Sequence, residues 1–463
     1  MDQIKTPSFH WAPPVTAAGA DLLALVPAEL DRPQNVTTLD LDATQGLDVP
    51  ARAKGEERFE GDAALVWRVG LGQMPPEQRD RALKEYWHRQ YDFVTADTVA
   101  AIDDPATGAY RLTMMGTAKM DWSKYGGRRW YEVDGARIGF KLDTMREPGP
   151  NRDAPFAVDF PSWSESRQTV LLPNKGAGFN VDGGDVDRTV AAYQFHRSTK
   201  LDGAKLTMVA STRALAPEIA FKDAETAKTT LASMNERGVS VGTPGNYRPN
   251  DTELAALKAT TPTTAEEFDD RGNILLDRSE YAAALKDFDA AIALKRDLAI
   301  AHGLRALALA WLHDPRAEAA AARALALDPK EFRAWNARMV VAGTAARHAD
   351  AEQAATHSLE IWPEDAFALS FRAYNRAELG RYIEALVDVD AGLKIAPDDP
   401  WLMNERVLIG MQAGKPQDTL AFVELALKSK PADVGARHAA RATGAQGRGQ
   451  EGDRRSGCRA THR

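Results

Sequence analysis

The sequence predicts a multidomain protein with two architectures. We expect an N-terminal antiparallel β-rich (α+β, sandwich-like) region and a C-terminal all-α solenoid of repeated helical hairpins. Two observations support this. Proline recurs every 34 residues in the C-terminal half, at Pro329, Pro363, Pro397 and Pro431. In the N-terminal half, several short segments alternate apolar and polar residues between turn clusters, which is typical of half-buried strands.

The strand pattern covers the N-terminal half. Predicted strands occupy 63–71, 110–117, 130–133, 168–172, 191–198 and 204–212. Predicted helices interrupt them at 76–91 and about 223–237. We therefore expect residues 59–237 to form a β-rich domain with two helices. Residues 238–264, with Gly-Thr-Pro-Gly and Thr-Pro-Thr-Thr, are expected to form a linker that includes a short helix, and 1–58 a linker or partial segment.

The C-terminal half is predicted to contain five helical hairpins over 265–431. The fourth unit, residues 366–399, has Ala373 at position 8, Tyr382 at 17, Ala385 at 20, Gly392 at 27 and Pro397 at 32. Small residues at 8, 20 and 27 allow two helices to approach closely. The proline ends the second helix, because it lacks an N–H and disfavours a helical residue before it. This pattern resembles the tetratricopeptide repeat (TPR) family, and residues 432–442 are a possible capping helix.

The TPR resemblance implies a concave face, made by the first helix of each unit, that binds a protein or peptide. Groove positions 2, 5, 9, 12 and 13, carried over residue by residue, give these candidates: Asn273, Trp311, Arg333, Asn336, Tyr374, Trp401 and Asn404. Three of them, Arg333, Asn336 and Asn404, are candidates to hold a carboxylate or a peptide backbone. The alternatives are that these three are solvated helix residues and that Trp311 and Trp401 pack against neighbouring helices.

Residues 1–240 contain a series of longer motifs. In order these are TTLDLDATQGLDVPA (37–51), FEGDAAL (59–65), EYWHRQYDFVT (85–95), GTAKMDW (116–122) and APFAVDFPSWSESRQTVLLPNKGAGF (154–179). The series resembles the downstream half of large bacterial transglutaminase-like proteins. That resemblance implies a Cys-His-Asp core upstream of Met1, so the chain is expected to be a truncated member. Full-length relatives are usually exported, which suggests the periplasm for them.

Composition and charge exclude several classes of protein. The net charge is −8, and the only basic bias lies in the tail, whereas nucleic-acid binding requires a basic face. No apolar run is long enough to predict a membrane span. The N-terminal residues do not resemble a signal peptide, which places the chain as written in the cytoplasm.

Reactive and metal-binding motifs give little support for catalysis. Cys458, followed by His462, lies in residues 443–463, a basic segment predicted to be disordered and therefore unable to fix a general base. The segment LDLDATQGLD (39–48) has alternating acids, but Gln45 stands where a calcium loop needs glycine, so an Asx-type turn is preferred.

We therefore expect a non-catalytic interaction protein that binds a protein or peptide partner in its TPR groove. We expect no cofactor, no metal and no nucleic-acid partner. The alternative is a transglutaminase-like or cysteine-peptidase-like enzyme whose catalytic core is encoded upstream of Met1.

Overall fold

The structure, a computed structural model, describes residues 11–12, 23–24, 30–125, 128–146, 149–150, 152–244, 247–397 and 399–429. The chain forms two compact units, Met1–Thr260 and Thr261–Arg463. The predicted capping helix (432–442) and basic tail (443–463), with Cys458 and His462, lie outside the described residues.

The first unit contains strands and four helices among its described residues. The strands are β1 (Trp11–Ala12), β2 (Leu23–Ala24), β3 (Asn35–Asp42), β4 (Ala51–Phe59), β5 (Val94–Asp104), β6 (Ala109–Ala118), β7 (Ser123–Tyr125), β8 (Arg128–Glu132), β9 (Phe156–Ala157), β10 (Trp163–Leu171), β11 (Asn180–Asp182), β12 (Val186–Val190), β13 (Tyr193–Asp202), β14 (Lys205–Ala214), β15 (Glu218–Ile219) and β16 (Ser240–Gly242). The helices are α1 (Gly61–Gly72), α2 (Pro76–Gln90), α3 (Phe221–Asn235) and α4 (Asp251–Ala259).

An eight-stranded sheet forms the centre of this unit. Its spatial order is β12-β13-β14-β10-β3-β4-β6-β5, and every neighbouring pair is antiparallel except β10 and β3. A second sheet has the order β11-β16-β8-β7. Alternate residues of the central strands enter the core, as Leu39 and Leu41 of β3 do. The same core contains Trp87 of α2, Leu231 of α3 and Tyr131 of β8, so helices and both sheets share it.

The predicted strand at 63–71 is wrong, because these residues belong to helix α1. The side chains that face inward are Ala64, Trp67 and Leu71, which recur at helical spacing, while Val66 is exposed. A short, nearly continuous apolar run does not distinguish a buried strand from a helix. The described part of 59–237 therefore contains three helices instead of two.

The predicted linkers are also partly wrong. Residues 35–42 and 51–58, expected to lie in a linker, form β3 and most of β4 in the middle of the large sheet. The inward positions of β4 before Phe59 are occupied by small residues and by Glu57, which hides the usual alternation of large apolar residues. Within 238–264, strand β16 pairs with both β11 and β8, and α4 is the expected short helix.

The second unit consists of five consecutive helical hairpins within the described residues. The helices are α5 (Ala265–Asp277), α6 (Tyr281–Leu294), α7 (Ala299–Trp311), α8 (Ala317–Leu327), α9 (Phe332–Thr344), α10 (His348–Ile361), α11 (Ala366–Glu378), α12 (Tyr382–Ile395), α13 (Pro400–Gln412) and α14 (Pro416–Ser429). Helices α8, α10 and α12 each end two residues before Pro329, Pro363 or Pro397. The predicted α-helical repeat fold is thereby confirmed.

Close helix packing follows from the small residues at the predicted positions. In the first hairpin a side chain added at Gly272 would lie 2.7 Å from Phe288. Position 20 carries a fully buried alanine in four hairpins: Ala284, Ala317, Ala351 and Ala385. These contacts leave no room for a larger side chain, so each hairpin closes around its small residues.

An arginine at position 7 of every first helix binds an acid on a second helix. The pairs are Arg271–Asp287, Arg305–Asp289, Arg338–Glu318, Arg372–Asp388 and Arg406–Asp390. The first and fourth pairs join the two helices of one hairpin, and the others reach back to the preceding hairpin. Asp287 and Asp388 are almost completely buried, whereas the acids of the other pairs are about half exposed.

The contact between Gly55 and Trp87 predicts the effect of a methyl group in the sheet. A Cβ at Gly55 would lie 2.9 Å from the Trp87 ring and 3.0 Å from Met114 Cε. We expect Gly55→Ala to lower the free energy of unfolding by about 1–3 kcal/mol in urea denaturation. The control is Gly70→Ala in α1, where no atom lies within 4 Å; it should be neutral or stabilising by up to about 1 kcal/mol. Equal effects of the two substitutions would contradict this packing.

Two acids of α12 give a matched test of the ion pairs. Asp388 accepts hydrogen bonds from Arg372 (2.7 Å) and Arg376 (2.8 Å) and is 3% exposed, whereas Asp390 is 50% exposed. We expect Asp388→Asn to destabilise the repeats by roughly 3 kcal/mol, because it leaves buried arginine charge uncompensated. Asp390→Asn should cost less than about 1 kcal/mol. Thermal or urea unfolding of both variants checks this, and a larger loss for Asp390→Asn would refute it.

Candidate partner-binding face of the repeats

All the sequence-predicted binding residues lie on the first helices, which are α5, α7, α9, α11 and α13. They differ in whether neighbouring side chains contact them or whether they are exposed. Trp311, Arg333 and Asn336 are engaged by neighbouring side chains. The remaining candidates differ in exposure: Asn273 is half-buried, while Tyr374, Trp401 and Asn404 are exposed. The exposed group belongs to the fourth and fifth hairpins.

Trp311 packs inside an aromatic cluster. Its ring stacks on Tyr281 at a centroid distance of 5.8 Å and meets Phe371 edge-on at 5.9 Å. Phe367 lies 6.3 Å from the same ring. Because Phe367 and Phe371 belong to the fourth hairpin and Trp311 to the second, the cluster links hairpins that are not adjacent in sequence. Trp311 thus matches the packing alternative.

Asn336 positions the next hairpin. Its Nδ2 donates a hydrogen bond of 2.8 Å to Asp365 Oδ2, and the side chain is buried. Asp365 also accepts hydrogen bonds from the backbone N–H groups of Phe367 and Ala368 and so caps α11. The amide nitrogen of Asn336 is therefore already used within the protein.

Arg333 lies beside acids of its own face. Its guanidinium is 3.2 Å from Glu331 Oε1 and covers the Phe332 ring at 4.4 Å. Gly303, at position 5 of α7, leaves room here, since an added Cβ would lie 3.0 Å from Glu331 Cγ. A carboxylate ligand at Arg333 would have to compete with Glu331.

Asp269, at position 5 of α5, is a buried acid that sequence reasoning missed. It is 8% exposed, and its Oδ1 has no hydrogen-bond partner among the described residues. Burial raises the pKa of Asp269 to about 6, Asp270 adds to this, and the Arg333 charge opposes it. The position-5 rule that selected Asn336 and Asn404 would also have selected Asp269.

Four large apolar or aromatic side chains are exposed on the first helices of the fourth and fifth hairpins. Tyr374 is 40% exposed, Trp401 60%, Leu408 50% and Met411 49%. They occupy positions 9, 2, 9 and 12 of their units, and we call them the apolar strip. Leu408 and Met411 occupy groove positions. They were not predicted, because aliphatic residues in an amphipathic helix usually belong to the core.

Glu405 lies on the same helix as Trp401, four residues later. It is 6% exposed, and its Oε2 has no hydrogen-bond partner among the described residues. Burial raises the pKa of Glu405 to about 8, partly offset by a side-chain hydrogen bond with Trp401. Burial also raises the pKa of Tyr374, to which the charges of Glu378 and Glu405 contribute. An acid that is largely protonated at neutral pH thus lies beside the apolar strip.

In the first unit, fewer candidate functional side chains lie close to one another. An open depression of about 640 Å³ lies on the large sheet and is lined by Asp40, Lys54, Met115 and others. Asp40 stands opposite Lys54 in the β3–β4 register, so these charges offset each other. In the segment 39–48, Asp42 accepts hydrogen bonds from the Thr44 N–H (3.0 Å) and hydroxyl (2.6 Å), which confirms the expected Asx-type turn.

Two further features of the described residues concern metal ligation and membrane crossing. Within the described ranges, no group of three or more histidine, cysteine, aspartate or glutamate side chains is arranged to hold a metal ion. No helix in that part of the chain is long and apolar enough to cross a membrane.

No family model and no curated protein matches the chain. Solved structures similar to it include a thermophilic TPR protein of Thermus thermophilus, with 18% identity, 39% of this chain and 98% of that chain covered, and a TM-score of 0.33. A tetratricopeptide repeat protein from Parabacteroides merdae has 16% identity, 41% and 76% coverage and a TM-score of 0.33. YrrB, a TPR protein with an unusual peptide-binding site, has 18% identity, 38% and 92% coverage and a TM-score of 0.30.

The pKa of Asp269 predicts how stability depends on pH. Because its folded pKa is above the unfolded value of 3.8, the folded state holds this proton more tightly. The resulting stability is present below about pH 4 and is lost as pH rises through about 6. We expect Asp269→Asn to leave unfolding at pH 4 unchanged and to stabilise the protein by roughly 1–2 kcal/mol at pH 7.5. An equal effect at both pH values would contradict the prediction.

Proposed function

We propose that this protein binds a segment of a partner protein on the first helices of its last two hairpins. The observation that carries the proposal is the apolar strip, in which Tyr374, Trp401, Leu408 and Met411 are each 40–60% exposed at groove positions. Contiguous exposed apolar residues with a polar surround mark interaction surfaces in soluble proteins.

The chemistry of the strip fits a peptide with large apolar side chains. Burial of apolar surface contributes about 25 cal/mol per Å², and exposed tryptophan and tyrosine side chains provide much of the binding energy at interfaces. Asn404, exposed at position 5 and three residues after Trp401, carries an amide that can donate to and accept from a peptide backbone. The proposed occupant is therefore a segment with apolar anchors.

The earlier hairpins contribute differently to the proposed site. Trp311 is packed in the aromatic cluster, and Asn336 is bonded to Asp365. These residues hold neighbouring hairpins in place and so fix the position of the strip. Arg333 faces Glu331, which argues against a carboxylate clamp there.

The transglutaminase resemblance of residues 1–240 stays a prediction, and so does the truncated origin that it implies. Under that alternative the chain would derive from an enzyme, and Cys458 would be its only thiol. A thiol-reactive activity probe and an amine-transfer assay on the full chain test this. Stoichiometric labelling that disappears, with activity, in Cys458→Ala would favour the enzyme.

Selection from a displayed random peptide library on the full chain tests the binding proposal. We expect selected peptides to lose at least about tenfold in affinity for the Trp401→Ala/Leu408→Ala double variant, which corresponds to about 1.4 kcal/mol. The matched control is Ile383→Ala/Val387→Ala on second helix α12, where both side chains are also exposed (56% and 64%). Unfolding curves check that both variants fold. Failure to select any peptide, or equal losses in both variants, would overturn the proposal.

A further inference from the structure

We propose that Glu405, Trp401 and Tyr374 form a recognition site for a basic side chain, an arginine or lysine of the bound segment. This inference rests on the proposed function, because it assigns the charge of the segment that the apolar strip binds.

The three side chains converge from two first helices. Trp401 and Glu405 are four residues apart on α13 and therefore share a face. The residue Trp401 is 60% exposed while Glu405 is 6% exposed, so Trp401 is the outer and Glu405 the inner member. Tyr374 of α11 is near enough for the Glu405 charge to raise its pKa. A buried acid is thus hydrogen-bonded to the exposed Trp401 one helical turn away, with the exposed Tyr374 on the neighbouring first helix.

A cation can interact more favourably with Glu405 and the two aromatic rings than an apolar or anionic group can. Glu405 Oε2 lacks a hydrogen-bond partner among the described residues, and a guanidinium or ammonium would supply one. Tryptophan and tyrosine faces attract cations. An anion would meet both Glu405 and Glu378, the second acid that acts on Tyr374.

Nearby arginines have acidic partners of their own. Arg406, the next residue on α13, binds Asp390 of α12 at 2.5 Å. Arg372 and Arg376 of α11 bind the buried Asp388. None of these three arginines is bonded to Glu405 among the described contacts, and we assign its pairing to a cation from outside the chain.

The acid makes recognition dependent on pH. Glu405 is mostly protonated below its pKa of about 8, and a bound cation favours its ionised form. Affinity for a basic segment should then rise with pH up to about 8. Tyr374 and Glu378 face the site from α11, while Asp390 of α12 is engaged by Arg406. Tyr374, with its raised pKa, stays neutral in this range.

Three fluorescein-labelled heptapeptides, Gly-Leu-Trp-Xaa-Leu-Leu-Gly amide with arginine, citrulline or glutamate at Xaa, test the inference on the full chain. At pH 8.5 we expect the arginine peptide to bind at least about tenfold more tightly than the citrulline peptide by fluorescence anisotropy. Its affinity should fall by about tenfold or more at pH 6.5, whereas citrulline binding should not change. The neutral variant Glu405→Gln should abolish both the preference and its pH dependence.

The outcomes separate this inference from the function it rests on. Equal binding of the arginine and citrulline peptides would overturn the basic-side-chain site and leave the apolar strip standing. A preference that persists in Glu405→Gln would overturn the assignment to Glu405. Absence of binding by all three peptides, together with failure of the display selection, would overturn both proposals. Circular dichroism of Glu405→Gln verifies that the variant is folded.

Discussion

An arginine at position 7 of a first helix, paired with a buried aspartate, is the interaction on which the repeats most depend. In the first and fourth hairpins it joins the two helices of the hairpin through a buried aspartate, Asp287 or Asp388. In the other three it reaches back to an acid of the preceding hairpin. The two buried pairs stabilise their own hairpins, whereas the three half-exposed pairs between hairpins contribute less. With position 7 held against the second helices, positions 2, 5, 9 and 12 are left for the first-helix face.

The repeats could be predicted from the prolines and small residues that recur in phase, but not from the arginines. The prolines and small residues predict where second helices end and where helices touch, because both are local steric requirements. The arginines recur with almost the same spacing but were not recognised, since a charged residue in a helix is usually solvated. Which side chains of the first-helix face are exposed could not be predicted from the sequence. Asn336 and Asn404 both occupy position 5, yet one is buried and the other exposed, because exposure depends on how the next segment packs.

The first unit was harder to predict, because its strand pairing and burial depend on contacts between segments that are far apart in the sequence. The parallel pairing of β3 with β10 joins segments more than 120 residues apart, for example Leu39 with Gln168. No local pattern encodes such a pairing. Apart from Phe59, the inward residues of strand β4 are alanine, glycine and Glu57, which accepts hydrogen bonds from Tyr86 and Asn35. The side chains of Leu65, Val66 and Val69 in α1 are exposed, so the apolar run of this helix does not indicate which residues are buried.

The proposed function combines a rigid scaffold with exposed apolar side chains on the fourth and fifth hairpins. Buried ion pairs and aromatic packing hold the hairpins, and the apolar strip is exposed on the first-helix face, with the buried Glu405 beside it. Hydrogen–deuterium exchange of the full chain, with and without a saturating selected peptide, tests this claim most directly. We expect added protection in α11 and α13, and none in α5 or in the sheet of the first unit. Protection confined to α12, α14 or the first unit would contradict the account.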